Sequence, residues 1–174
     1  MLLGFLCPSL IPQAGGVVKH LWALYRLRPL WTALRDALPI TQAAPATRRS
    51  IRTRLYRCVI EIRDALLILQ PYARPEIATR AGRLATALHI PTSECAAAIE
   101  ATRIAAALHL HRSGAVATDH NAVFHQPAEH SFTGELRWLV AVATAYRSSP
   151  LVPALLGELG QEATIGGVPN MRDQ

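Results

Sequence analysis

The amino-acid sequence predicts an all-α protein, a compact bundle of five or six helices around a central helix at about residues 48–70. Apolar residues recur at steps of three and four along most of the chain, the period of one helix face. Prolines at positions 39, 71, 91 and 150 punctuate these periodic stretches and mark where helices stop. Hydrophobic residues make up 51% and charged residues 17% of the 174, the balance of a folded domain rather than of a disordered chain. That length suits one domain, divided as an apolar leader over 1–12, a helical domain over 13–160 and a flexible tail over 161–174.

The leader, MLLGFLCPSLI, is uncharged and apolar. It is shorter than the roughly 20 residues a bilayer span requires, and it lacks the positive start and small-residue cleavage site of a signal peptide. It reads as the end of a longer membrane span, or as a segment that lies on a membrane or on the protein's own core. After Gly15-Gly16, Val17, Leu21, Leu24 and Leu27 recur at helical spacing. Pro29 then kinks the chain or opens a second helix carrying Leu30, Trp31, Leu34 and Leu38.

The strongest helix follows an Ala/Pro-rich connection at 41–47. Its stripe is Leu55, Val59, Ile62, Leu66 and Leu69, at steps of 4, 3, 4 and 3. Ile60, Leu67 and Ile68 lie off that stripe, so the helix is expected to run through the middle of the domain. A third helix opens at Pro75 with Glu76 at its positive end, and uses Ile77, Ala81, Leu84 and Leu88. A fourth is capped by Thr92 or Ser93, is rich in alanine, and ends at Ser113-Gly114. Residues 114–130 are irregular, with a small hairpin around Asp119–Asn121. A fifth helix runs from about Thr133 to Arg147, with Leu136, Leu139, Val140 and Ala143 inward, before a Leu-rich turn at Leu151–Leu159.

Charge is unevenly spread. Residues 1–60 hold Lys19, Arg26, Arg28, Arg35, Arg48, Arg49, Arg52, Arg54 and Arg57 against Asp36, a net +8, whereas 61–174 sum to −2. A basic segment beside a near-neutral remainder points to a polyanion, either lipid headgroups or nucleic acid. Trp22, Tyr25 and Trp31 stand among Lys19, Arg26 and Arg28 directly after the leader, the company kept by residues at a membrane interface on its cytoplasmic side. Arg26, Arg28, Arg48, Arg49 and Arg52 are therefore the candidates for membrane-surface or anion contact. Nucleic acid ranks lower, because no helix-turn-helix, zinc finger or stacking platform accompanies the arginines.

Arg54, Tyr56, Arg57, Glu61, Arg63 and Asp64 form a second candidate set for binding on the central helix. Charges there demand partners, so the set forms either a polar pocket or a salt-bridge network between helices, the latter being the commoner arrangement. His109, His111, His120, His125 and His130 crowd into 22 residues, but without a metal-site spacing. Cys7, Cys58 and Cys95 are odd in number and far apart, which argues against a disulfide framework. No catalytic residue, metal or cofactor is assigned.

The motifs Leu27-Arg28-Pro29-Leu30-Trp31, Arg54-Leu55-Tyr56-Arg57-Cys58-Val59-Ile60-Glu61-Ile62-Arg63-Asp64-Ala65 and Gln70-Pro71-Tyr72 resemble an uncharacterised actinobacterial family of integral-membrane or transporter-like proteins. Several membrane helices in that family precede a soluble helical domain of unknown function. The resemblance covers roughly residues 17–148 and implies that this chain corresponds to the soluble C-terminal domain, with Met1–Ile11 as the end of a final membrane helix. It carries over no catalytic residues. The expected function is a non-enzymatic cytosolic module, at the inner face of the cell membrane, that docks on the membrane or a membrane protein and engages a protein partner. The alternatives are a helical-bundle enzyme with an acidic/histidine pocket and a nucleic-acid-binding protein.

Overall fold

A computed structural model describes residues 11–38, 50–118, 123–124 and 131–166. Among these are six α-helices: α1 (Ile11–Ala37), α2 (Ile51–Leu69), α3 (Pro75–Ala87), α4 (Thr92–Arg112), α5 (Phe132–Ser148) and α6 (Leu151–Gly166), with a 3-10 turn at Gln70–Tyr72 after α2. The fold is all-α, as expected. Residues 1–10 of the leader, Arg48 and Arg49, and the hairpin at 119–121 lie outside the described residues.

Pro29 neither breaks α1 nor opens a new helix; it lies inside one continuous element of 27 residues. A mid-helix proline removes one hydrogen bond, here to the carbonyl of Tyr25. Tyr25 is 60% exposed, so the freed carbonyl lies on the side of α1 away from the core. Below it, Leu27, Leu30, Leu34 and Leu38 form the buried face. Ser50 caps α2, its hydroxyl accepting from the Thr53 N–H at 3.2 Å.

α4, rather than α2, is the hub. It packs against α1, α2 and α5 on one side and α3 and α6 on the other. Ten of its residues are buried, against six in α2. Alanine explains this: with Ala97, Ala98, Ala101, Ala105, Ala106 and Ala107 around its girth, α4 lets neighbouring helices approach from several directions. The main core joins α1, α2, α4 and α5. Two smaller clusters, Ala81–Ala85–Ala98–Leu151 and Ile77–Ala106–Leu155, seat α3 and α6 on the other flank of α4.

Helix ends differ from expectation in two places. Pro91, not Thr92 or Ser93, occupies the cap position of α4, and no side chain caps it. The Leu-rich stretch after Pro150 is a full helix that runs to Gly166. Pro153 is tolerated there because N–H groups of a first turn have no intrahelical partner. Leu151 and Leu155 are fully buried, and Arg80 Nη1 on α3 reaches Glu162 Oε1 at 2.7 Å. This packing overrides the two interior glycines of α6, Gly157 and Gly160, which each cost about 1 kcal/mol of helix propensity.

Candidate functional site

The polar set on α2 divides into ties and surface. Glu61 uses both oxygens: Oε1 accepts from Arg57 Nε at 3.1 Å and Oε2 from Trp31 Nε1 on α1 at 2.8 Å. Arg63 pairs through Nε with Glu135 on α5. That hydrogen bond raises the guanidinium above its ordinary value, against a smaller lowering by burial. Glu61 and Arg63 thus fasten α2 to its two neighbours, and the salt-bridge network describes them better than a polar pocket. Arg54 and Asp64 are exposed. Tyr56 stacks on Phe132 of α5, centroids 3.9 Å apart and planes 21° apart, while Arg52 lies over its ring at 5.6 Å.

Two helices carry apolar residues on the side away from the core. On α1, Val17, Val18, Leu21, Trp22 and Tyr25 are all exposed. At about 100° per residue they fall within an arc of about 140°, nearly opposite the face formed by Ala23, Leu27, Leu30 and Leu34. Lys19 and Arg26 lie beyond one edge of this arc, and Arg28 and Arg35 lie at the other in later turns of the helix, where the exposed Asp36 falls within it. Arg26 lies over the Trp22 ring at 5.2 Å and Arg35 over Trp31 at 4.7 Å. Asp36 is the single acid within α1. On α2, Tyr56, Ile60, Leu67 and Ile68 are exposed, so the residues off its main stripe face outward instead of lining a second core. Beside them lies a groove of about 240 Å³, lined by Arg63, Leu66, Leu67, Gln70, Val123 and Phe124.

Among the described residues, the two histidines of the cluster form no group with the acids. His109 is exposed, and His111 sits edge-on to Tyr72, centroids 5.0 Å apart, with its Nδ1 buried and without a partner. The other three of the cluster lie outside the described residues. Among the described residues no group of His, Cys, Asp and Glu has a metal-binding arrangement. Cys58 is buried, and burial, then the Glu61 charge, pushes its thiol up to about 12 despite Arg35.

Glu100 and Arg103 were not singled out by sequence. Glu100 Oε2 accepts from Arg103 Nη1 at 2.7 Å, with side-chain exposures of only 4% and 12%. Arg103 also donates to the Val123 carbonyl and covers the Phe124 ring at 5.4 Å, anchoring that segment to α4. The available signal was an acid and a base three apart within the most alanine-rich helix of the chain.

Among the described residues no single helix is long and apolar enough to cross a membrane; the bent pair α5–α6 passes on length and composition, yet both helices place residues in the core. The geometry defines a class: an all-helical bundle whose first helix presents an apolar, basic-edged face to the outside. The chain belongs to DUF6545, a family of unknown function whose model matches residues 16–148, from α1 to the end of α5. No match was found among curated proteins or among solved structures.

Proposed function

We propose that this chain is a non-catalytic helical module that docks through the outer face of α1 on an anionic membrane surface, at the cytoplasmic side of a cell membrane, and takes part there in protein interaction or regulation. One observation carries the proposal: α1 is apolar on two opposed sides, and the side without a core is edged by cations. An interfacial helix has this build, with apolar and aromatic side chains at the acyl boundary and Lys or Arg among the headgroups. Lys19, Arg26, Arg28 and Arg35 each contribute about 1 kcal/mol near anionic lipid. Trp22 and Tyr25 add apolar surface with polar tips suited to that depth. The polar set on α2 supports this role by holding α1 to the bundle through Trp31 and Glu61.

Flotation of the full chain with vesicles of phosphatidylcholine, with and without phosphatidylserine, tests the proposal. Binding is expected only with the anionic lipid, weakening as salt rises. Leu21→Glu with Trp22→Glu, or Arg26→Glu with Arg28→Glu, is expected to abolish it. A second arm replaces Arg48, Arg49 and Arg52 by Glu. Failure to float, or flotation untouched by the α1 changes, defeats the proposal; capture by a membrane protein in lipid-free detergent with the α1 changes disruptive would favour a protein dock instead.

A further inference from the structure

The outer face of α1 changes character along its length. Val17, Val18, Leu21, Trp22 and Tyr25 are exposed, and among the described residues of α1 no large apolar side chain after Tyr25 is. The exposed residues beyond it are Arg28 and Asp36. Before Arg26 the sequence holds one charge, Lys19. Val18 and Asp36 are 18 residues apart, about five turns, so they point the same way about 27 Å apart along the axis. A helix lying flat that sank Val18 into lipid would carry the Asp36 carboxylate down with it, against anionic headgroups. An interfacial helix buries its apolar face by about 5–10 Å, and lifting Asp36 by about 10 Å over that length takes a tilt of about 20°.

α2 runs antiparallel to α1. Trp31 bonds Glu61, and the charge of Arg35, a turn later on α1, acts on Cys58, a turn earlier on α2. Leu67 lies six residues beyond Glu61 and Tyr25 six before Trp31. Both therefore stand about 9 Å from that bond, toward the same end of the bundle. Ile68, seven residues on from Glu61, shares the side of α2 that faces α1. Leu67 and Ile68 are 59% and 41% exposed, so apolar surface of both helices collects at one end. At the other end, with Asp36, are the exposed Arg52 and Arg54.

We infer that the bundle docks tilted, with the first turns of α1 and the last turn of α2 at the acyl boundary of an anionic bilayer and Asp36, Arg52 and Arg54 held off it. The inference rests on the membrane docking proposed above. It adds Leu67 and Ile68 to the lipid-contacting surface and takes Arg52, an anion-contact candidate by sequence, out of it. Arg26 and Arg28, between the two ends, come to headgroup level, with Trp22 and Tyr25 just below them.

Labels on the full chain test the tilt. With Cys7→Ser and Cys95→Ser, and Cys58 left in place because it is buried, an environment-sensitive dye is attached to one added thiol at a time. The positions are Val18→Cys, Ile68→Cys, Asp36→Cys and Arg54→Cys, each read with vesicles of phosphatidylcholine and phosphatidylserine. The dye is expected to brighten and shift to the blue at positions 18 and 68, and to stay unchanged at 36 and 54. Leu67→Glu with Ile68→Glu is expected to lower flotation about tenfold, and Arg52→Glu with Arg54→Glu to leave it unchanged. A dye at 36 that responds as strongly as one at 18, a silent dye at 68, or flotation lost through the Arg52 and Arg54 changes overturns the inference. In each of these outcomes the unaltered chain still floats, so docking stands while the tilt falls. An unaltered chain that does not float defeats both.

Discussion

The indole N–H of Trp31 donates to Glu61 Oε2 across 2.8 Å, joining the last third of α1 to the middle of α2. Arg57 holds the other oxygen, so the carboxylate is satisfied where it is mostly covered. Losing one partner of a part-buried charged bond costs about 1–3 kcal/mol. Glu61→Ala should lower stability by that amount, and Trp31→Phe, which keeps the ring but not the donor, by somewhat less. Urea unfolding measures both. Equal stability for the two variants and the unaltered chain would show that the bond contributes nothing.

The Cys58 thiol has a folded value of about 12 against an ordinary 9.0, raised first by burial. The neutral thiol is therefore the form the fold favours. Its contribution is fully present below pH 9.0 and is lost as pH rises from there toward about 12. Thiol labelling with a disulfide reagent near neutral pH should leave Cys58 unreacted in the folded protein and modify it only on unfolding. Rapid labelling of Cys58 in the native state would contradict the burial.

Two helices end on the same hydrogen-bond pattern with different residues at its left-handed position. At the end of α4, Gly114 has φ 70°, and Ala115 N–H reaches the Leu110 carbonyl at 3.0 Å. At the end of α3, His89 has φ 55°, and Ile90 N–H reaches the Ala85 carbonyl at 2.9 Å. A non-glycine residue pays about 1–2 kcal/mol for that conformation, partly offset by glycine's freedom in the unfolded chain. His89→Gly should stabilise by about 0.5–1 kcal/mol. Gly114→Ala should destabilise by about 1 kcal/mol, through conformation alone, since nothing lies within 4 Å of the added Cβ. Thermal melts decide the signs, and a loss on His89→Gly would refute the argument.

Glu100 and Arg103 are a nearly covered pair within α4. Removing one breaks this bond while the other charge stays nearly covered, a loss of about 1–3 kcal/mol. Glu100→Leu and Arg103→Met should each destabilise strongly, and the double change by less than their sum. Chemical denaturation of the four proteins in a cycle measures the coupling. Additive losses would mean that the two side chains act independently.

The order of helices was legible in sequence because it is local. The apolar steps around Leu55–Leu69, Pro75 at the first position of α3, and Ser113-Gly114 after α4 each act within a turn or two of the backbone. The site was legible only in outline. Arginines and aromatic rings of the first third pointed to a surface, and the arrangement of Lys19, Arg26, Arg28 and Arg35 around α1 gives that surface an orientation.

Periodicity by itself determined which residues of a helix share a face. Only tertiary structure decided which faces are covered. Ile60 and Ile62 stand two residues apart on α2, and one is 56% exposed while the other is fully buried. Burial depends on the neighbours that arrive, and here the alanines of α4, by letting helices pack close on both flanks, took the centre of the bundle and left the second faces of α1 and α2 to the outside.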